Sequence, residues 1–137
     1  MKGRIITFAE TTPAFVAGAK TVTRREWKHD YARTFTAGEM LQAWDKNPRT
    51  RQGHRIGTIR LTVAPYLEAS DTIPREDYAR EGFTFLEERG LTLFGGKTPR
   101  EVWDAWHATP ALLWVVRFEV VAVFDEALEM HRLEVTP

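Results

Sequence analysis

The sequence has 137 residues, of which 43% are hydrophobic and 28% charged, with 9 Gly and 7 Pro; this is globular composition and excludes a disordered or collagen-like chain. It has no cysteine, which removes thiolate nucleophiles, disulfides, iron–sulfur clusters and Cys-based zinc sites. Net charge is zero, yet residues 1–67 hold 12 Lys+Arg against 5 Asp+Glu and residues 68–137 hold 7 against 14. A basic half suits phosphate-bearing partners, while attraction between the two halves within one fold is the plainer account of the same asymmetry.

In chain order, Arg4 to Phe8 is a short β-prone segment. Thr11 to Gly18 predicts a short helix: Thr12 can cap it, Pro13 suits its first turn, and Gly18 can take the left-handed exit. Thr21 to Arg25 alternates as a strand, with Thr21, Thr23 and Arg25 on one face. Residues 26–38 read as a loop ending at Gly38, followed by a strand from Met40 to Trp44 and a basic, breaker-containing stretch to Arg60. Ile56 to Ala64 alternates into a strand that Pro65 ends.

Helical signals follow. Pro74 to Ala79 predicts one turn, Thr84 to Glu87 resembles a capping box, and Thr98-Pro99-Arg100-Glu101 is a stronger box ahead of an apolar stripe of Val102, Trp103, Ala105 and Trp106. Leu112 to Phe124 has the strongest strand pattern of the chain. With no internal repeat or linker, the expectation is a single domain over residues 1–137, a small mixed sheet or barrel with short helices packed outside it.

The longest apolar run, Ala111 to Val116, is far too short to span a bilayer, and the start lacks a secretory core, so the expected setting is cytoplasmic with no membrane partner. The sole serine, Ser70, lacks the flanking glycines of a nucleophile elbow, and no two of His29, His54, His107 and His131 share a helical turn, so no helix-borne zinc motif exists. Gly95-Gly96-Lys97-Thr98 has the tail of a phosphate loop, but Leu91 stands where the first glycine belongs and Thr98 serves as a cap. Trp103, Trp106 and Trp114 belong to apolar stripes and read as core. Trp27 and Trp44 border polar segments and read equally well as stacking platforms. The basic run Lys46 to Arg60 can follow a phosphate backbone or simply be a solvated loop.

The most informative segment is Gly18-Ala19-Lys20-Thr21-Val22-Thr23-Arg24-Arg25-Glu26. A helix exits through glycine into a strand there, which can place an amine beside a hydroxyl. Thr23 is then a nucleophile or a positioner of water, and Lys20 is its base only if burial or the neighbouring Arg24 and Arg25 keep the amine partly neutral. A fully extended strand would put the two on opposite faces, so a bend at Lys20 is required. The competing account is an ordinary polar strand edge.

Gly18, Lys20, Thr21 and Arg25 together resemble the Gly-x-Lys-Thr-x-x-x-Arg signature of the ASCH domain, a PUA-like family. The resemblance extends to Ile6-Thr7-Phe8, Ala37-Gly38-Glu39-Met40-Leu41, Arg80-Glu81-Gly82-Phe83 and Trp114 to Phe118. Within that family the segment is most similar to small bacterial amidohydrolases of N4-acetylcytidine. That similarity implies a small mixed β-barrel of PUA-like type, no cofactor, no metal, and a catalytic triad of Lys20, Thr23 and Glu81. It implies hydrolysis of the amide between an acyl group and the exocyclic amine of a cytosine base or nucleoside. Thr23 would attack or position water, Lys20 would take a proton or stabilise an oxyanion, and Glu81 would orient Lys20, with Arg25, Trp27 and Phe83 meeting the substrate. Extra residues at 27–36, 45–55 and 89–98 set this chain apart from those enzymes. Other ASCH-like proteins are RNA-binding modules or ribonucleases, which makes RNA the alternative partner.

Overall fold

The computed structural model describes residues 3–131. Six strands form one sheet: β1 (Arg4–Thr7), β2 (Val22–Arg25), β3 (Met40–Trp44), β4 (Arg55–Leu61), β5 (Tyr66–Ala69) and β6 (Leu112–Val123). Their order is β1-β3-β4-β6-β2, with β5 also on β6; β1 and β3 are parallel and the other pairs antiparallel. The 12-residue β6 is the seam, pairing with β2 and β5 along its first half and with β4 along its second. Register shifts at Ala43/Trp44 and Thr58/Ile59 bend the ladder, because an unpaired residue tightens local twist. A Cβ at Gly57 would stand 2.2 Å from the Ala122 carbonyl oxygen, so only glycine lets β4 run this close to β6. The result is a sheet curled into a half-barrel with short helices outside it.

Six helices are added: α1 (Thr12–Val16), α2 (His29–Ala32), α3 (Asp77–Arg80), α4 (Phe83–Glu88), α5 (Pro99–Ala108) and α6 (Asp125–Met130). Two apolar clusters result. One fills the curl with Ile6, Phe8, Phe15, Leu41, Ile59 and Phe118, where Phe8 and Phe15 stack at 4.8 Å. The other joins Tyr78, Phe83, Leu86, Leu93 and Trp103 among the helices. Helix α1 bridges them, sending Phe15 and Val16 into the first and Ala14 into the second. Buried large side chains such as Phe15 and Val16 contribute about 1.5–3 kcal/mol each, so α1 is held chiefly by the first cluster despite its five residues. Among the described residues no helix is long and apolar enough to cross a membrane.

Several sequence expectations need correction. Thr12 does not cap α1: Thr11 is its N-cap residue, and the Thr12 hydroxyl is buried without a partner. The stretch 26–38 is not all loop, since α2 forms where Trp27 stacks on Phe35 at 4.7 Å and Tyr31 meets both edge-on, an aromatic cluster with no simple period. Strand β4 ends at Leu61, short of Ala64, and β5 was not expected after Pro65. Helix α4 begins at Phe83 behind a left-handed Gly82, leaving Thr84 inside it with no capping role. The turn expected at Pro74 to Ala79 becomes helical only from Asp77. The box before α5 forms as expected, with Glu101 N–H donating to Thr98 Oγ1 at 3.1 Å and Thr98 N–H to Glu101 Oε1 at 2.9 Å.

Candidate active site

Helix α1 gives way at Gly18, whose φ of +78° is open to glycine without strain, and the chain turns toward β2. Lys20 lies ahead of the first strand residue, Val22, so strand alternation does not govern where its side chain goes. Thr21 N–H donates to the Arg80 carbonyl at 2.8 Å, tying this turn to the end of α3. That tie lays Lys20 against Glu81. The amine, 1% exposed, donates to the Glu81 carbonyl oxygen at 2.8 Å and to Glu81 Oε1 at 3.1 Å. Next in sequence, Gly82 holds φ +90°, and a Cβ there would come within 2.5 Å of Ala14 Cβ. Glycine is therefore what lets the Glu81 corner seat against α1 and the stem of Lys20.

The second Glu81 oxygen is also occupied. Arg24 Nη1 donates to Glu81 Oε2 at 2.7 Å, while its Nη2 reaches Asp77 Oδ2 at 2.5 Å and Glu68 Oε1 at 2.9 Å. Asp77, fully buried, in turn accepts both Nη1 and Nη2 of Arg117 at 3.1 and 2.7 Å, and Arg80 Nη1 at 3.3 Å. Such a network is stable only while every member keeps its partner, because a lone buried charge forfeits hydration without recompense. Arg24 and Arg117 hold Asp77 well below the usual carboxylate range against the opposing pull of burial.

Thr23, 5% exposed, accepts a hydrogen bond from Arg25 Nε at 3.3 Å, and Arg25 Nη2 donates to the Thr7 carbonyl at 2.5 Å. Burial pushes the Lys20 amine down from its usual 10.5; Glu81 opposes this, and Arg25 and Arg24 add to it. The net direction, which sequence alone left open, is toward a neutral amine. Burial likewise lowers Arg25, with Glu81 opposing.

Lys20, Thr23 and Glu81 line one cavity of about 450 Å³. Arg25 and Phe83 line it as well, together with Phe8, Leu93 and Phe94. Trp27 does not; it borders an adjoining depression with Tyr31 and Arg49, which shares Thr7 and Arg25 with the first. Trp106, expected in the core, is half-buried and faces the cavity, whereas Trp103 and Trp114 are buried. Trp44 donates its indole N–H to Gln42 at 3.0 Å. The basic stretch is anchored by Asp45, which accepts the backbone N–H groups of Lys46 and His54, and it leaves Arg49 and Arg51 exposed. Arg24, Asp77, Arg117 and Lys97 were missed as site residues. The Asp77–Arg80 spacing points only to their own i,i+3 pair, and nothing local foretold Arg24 or Arg117 as partners of Asp77.

The chain is similar in structure to protein EF3133 of Enterococcus faecalis V583, of the family DUF984, with a TM-score of 0.54 and 17% identity over 91% of this chain and 84% of that one. At that identity the likeness is one of fold. No protein-family model matches the sequence, and no curated protein matches it significantly.

Proposed function

We propose that the chain is an ASCH-type amidohydrolase that removes the acyl group from N4-acylated cytosine nucleosides. The observation that carries this reading is the convergence of a buried, pKa-lowered amine, a hydroxyl and a carboxylate on one cavity, at the positions the ASCH resemblance singles out. The curled half-barrel with outer helices supports the same reading, being the architecture a PUA-like fold implies. In the reaction, the neutral Lys20 amine takes the proton of Thr23, whose oxygen adds to the acyl carbon. The hydrogen bond from Arg25 Nε favours negative charge on that oxygen. Collapse breaks the carbon–nitrogen bond, the exocyclic amine leaves with the Lys20 proton, and water then cleaves the Thr23 ester to release the acid. Glu81, bound at both oxygens, fixes where Lys20 can sit.

The test is release of cytidine from N4-acetylcytidine by the purified chain. Turnover is expected in the wild type and a fall of roughly 10²-fold or more in Thr23→Ala, with partial recovery in Thr23→Ser. Equal product release by wild type and Thr23→Ala would reject the reading.

A second reading, an RNA-binding module or ribonuclease, is favoured by the depression lined by Arg25, Trp27, Tyr31 and Arg49. Tyr31 is 41% exposed and lines the depression together with Arg25 and Arg49, the mix of aromatic and cationic residues that stacks bases and pairs phosphates. It predicts RNA binding that weakens steeply with salt and again in Arg49→Ala/Arg51→Ala, measured by fluorescence anisotropy. Binding indifferent to salt would remove it.

A further inference from the structure

The cavity carries more positive charge than its own acids neutralise. Apart from the Lys20 amine, Arg24, Arg25 and Lys97 line it, and Glu81 is the one carboxylate among its lining residues. Glu81 is engaged by Lys20 and Arg24, and the other acids paired with Arg24, Asp77 and Glu68, lie outside the cavity lining. Arg25 and Lys97 remain. Arg25 donates only to the Thr23 hydroxyl and the Thr7 carbonyl, and no ion pair reaches it among the described residues. Lys97 also has no ion pair among the described residues. The nearby Glu101 carboxylate is held low chiefly by its hydrogen bonds with Thr98 in the capping box, with the Lys97 field adding to them.

Arg25, half-buried, has lost part of its hydration without an ion-pair partner and is poised to take an anion, while Lys97 is an exposed ammonium on the same cavity; guanidinium and ammonium groups are the donors that phosphate and carboxylate groups prefer. The two cations come from separate segments, β2 and the turn before α5. The aromatic rings of Phe83 and Trp106, which also line the cavity, add apolar wall for a planar base. We propose that the cavity recognises an anionic substrate, with Arg25 and Lys97 holding a phosphate or carboxylate group that a neutral cytosine nucleoside lacks. The anion has two chemical sources: a 5′-phosphate on the nucleoside, or a carboxylate at the far end of a dicarboxylic acyl chain. The inference rests on the amidohydrolase reading only for the choice of cytosine compounds as ligands.

Calorimetric titration of the full chain compares cytidine, cytidine 5′-monophosphate and N4-(3-carboxypropyl)cytidine, the last an alkylamine that cannot be hydrolysed as an amide. At low ionic strength one of the two anions is expected to bind about tenfold or more tightly than cytidine. The gain is expected to shrink severalfold in Lys97→Gln, an exposed position whose side chain makes no hydrogen bond or ion pair among the described residues. A gain for the monophosphate assigns the phosphate, and one for the carboxypropyl compound assigns the acyl carboxylate. Anions that bind no better than cytidine, or a gain that Lys97→Gln leaves intact, overturn the inference. A chain that hydrolyses N4-acetylcytidine without an anion gain loses only this inference; one with the gain and no hydrolysis loses only the amidohydrolase reading.

Discussion

Lys20→Met is expected to lower kcat/KM for N4-acetylcytidine by roughly 10²–10⁴-fold, the range spanned by loss of a positioned acid–base group. Methionine keeps most of the volume of a side chain that is 1% exposed but takes two hydrogen bonds from the buried Glu81, so the rate is compared at a temperature where thermal melting shows the variant folded. The wild-type pH profile gives the discriminating readout. Burial lowers the Lys20 pKa, so activity that needs the neutral amine should rise to a plateau with a midpoint below 10.5. Because Glu81 raises that pKa and Arg25 lowers it, Glu81→Gln should move the midpoint further down and Arg25→Gln should move it up, whatever each does to the plateau. A midpoint that ignores both substitutions means that the titrating group is not Lys20.

Asp77→Asn is expected to destabilise the fold by about 3–5 kcal/mol, the cost of breaking a buried ion pair from one side. The change leaves Arg24, 1% exposed in its side chain, and Arg117 facing an amide that can neutralise neither. Chemical denaturation measures the loss, and a change below about 1 kcal/mol would show that the network contributes far less than its geometry implies. In a double-mutant cycle with Arg117→Gln the combined loss should be smaller than the sum of the single ones, because each substitution orphans the other's partner. The pH dependence has the same sign at the two buried sites, with stability rising as pH rises, but in separate windows. Asp77 titrates below 3.8 in the folded state, so its stabilisation is complete above that value and disappears as pH falls through the lowered pKa. Lys20 binds its proton less readily when folded. Its contribution therefore makes the fold more stable as pH climbs from the lowered pKa toward 10.5.

Those two residues also mark what was legible in the chain. Local chemistry was readable wherever it was self-contained. The Thr98–Glu101 box needs only a span of four residues, Met40–Trp44 forms at its expected bounds, and the left-handed exit at Gly18 is set by a single glycine. Lys20 and Thr23 stood out because they follow such an exit within five residues. Glu81, 61 residues from Lys20, was visible only through the family resemblance. Asp77 and Arg117 were invisible, since an ion pair spanning 40 residues leaves no periodic trace and a buried Asp is indistinguishable in sequence from a surface one. Strand β5 was missed for a related reason. Its residues 66 and 67 are exposed and its ladder is completed wholly by β6, so neither alternation nor a turn announced it.

The placement of the seam strand has a kinetic corollary. Thr23 and Arg24 stand opposite Val116 and Val115 in the β2–β6 ladder, partners that come more than 90 residues later in the chain. During synthesis from the amino terminus, the Lys20 segment therefore leaves the ribosome well before the strand that fixes its neighbours. Until β6 arrives, Arg24 and Glu81 have no rigid frame in which to meet, and the long loop that must close makes this pairing a slow, late event in folding. The charged cluster and the cavity are thus acquired together in one final step, and a nascent chain halted before residue 112 should have neither.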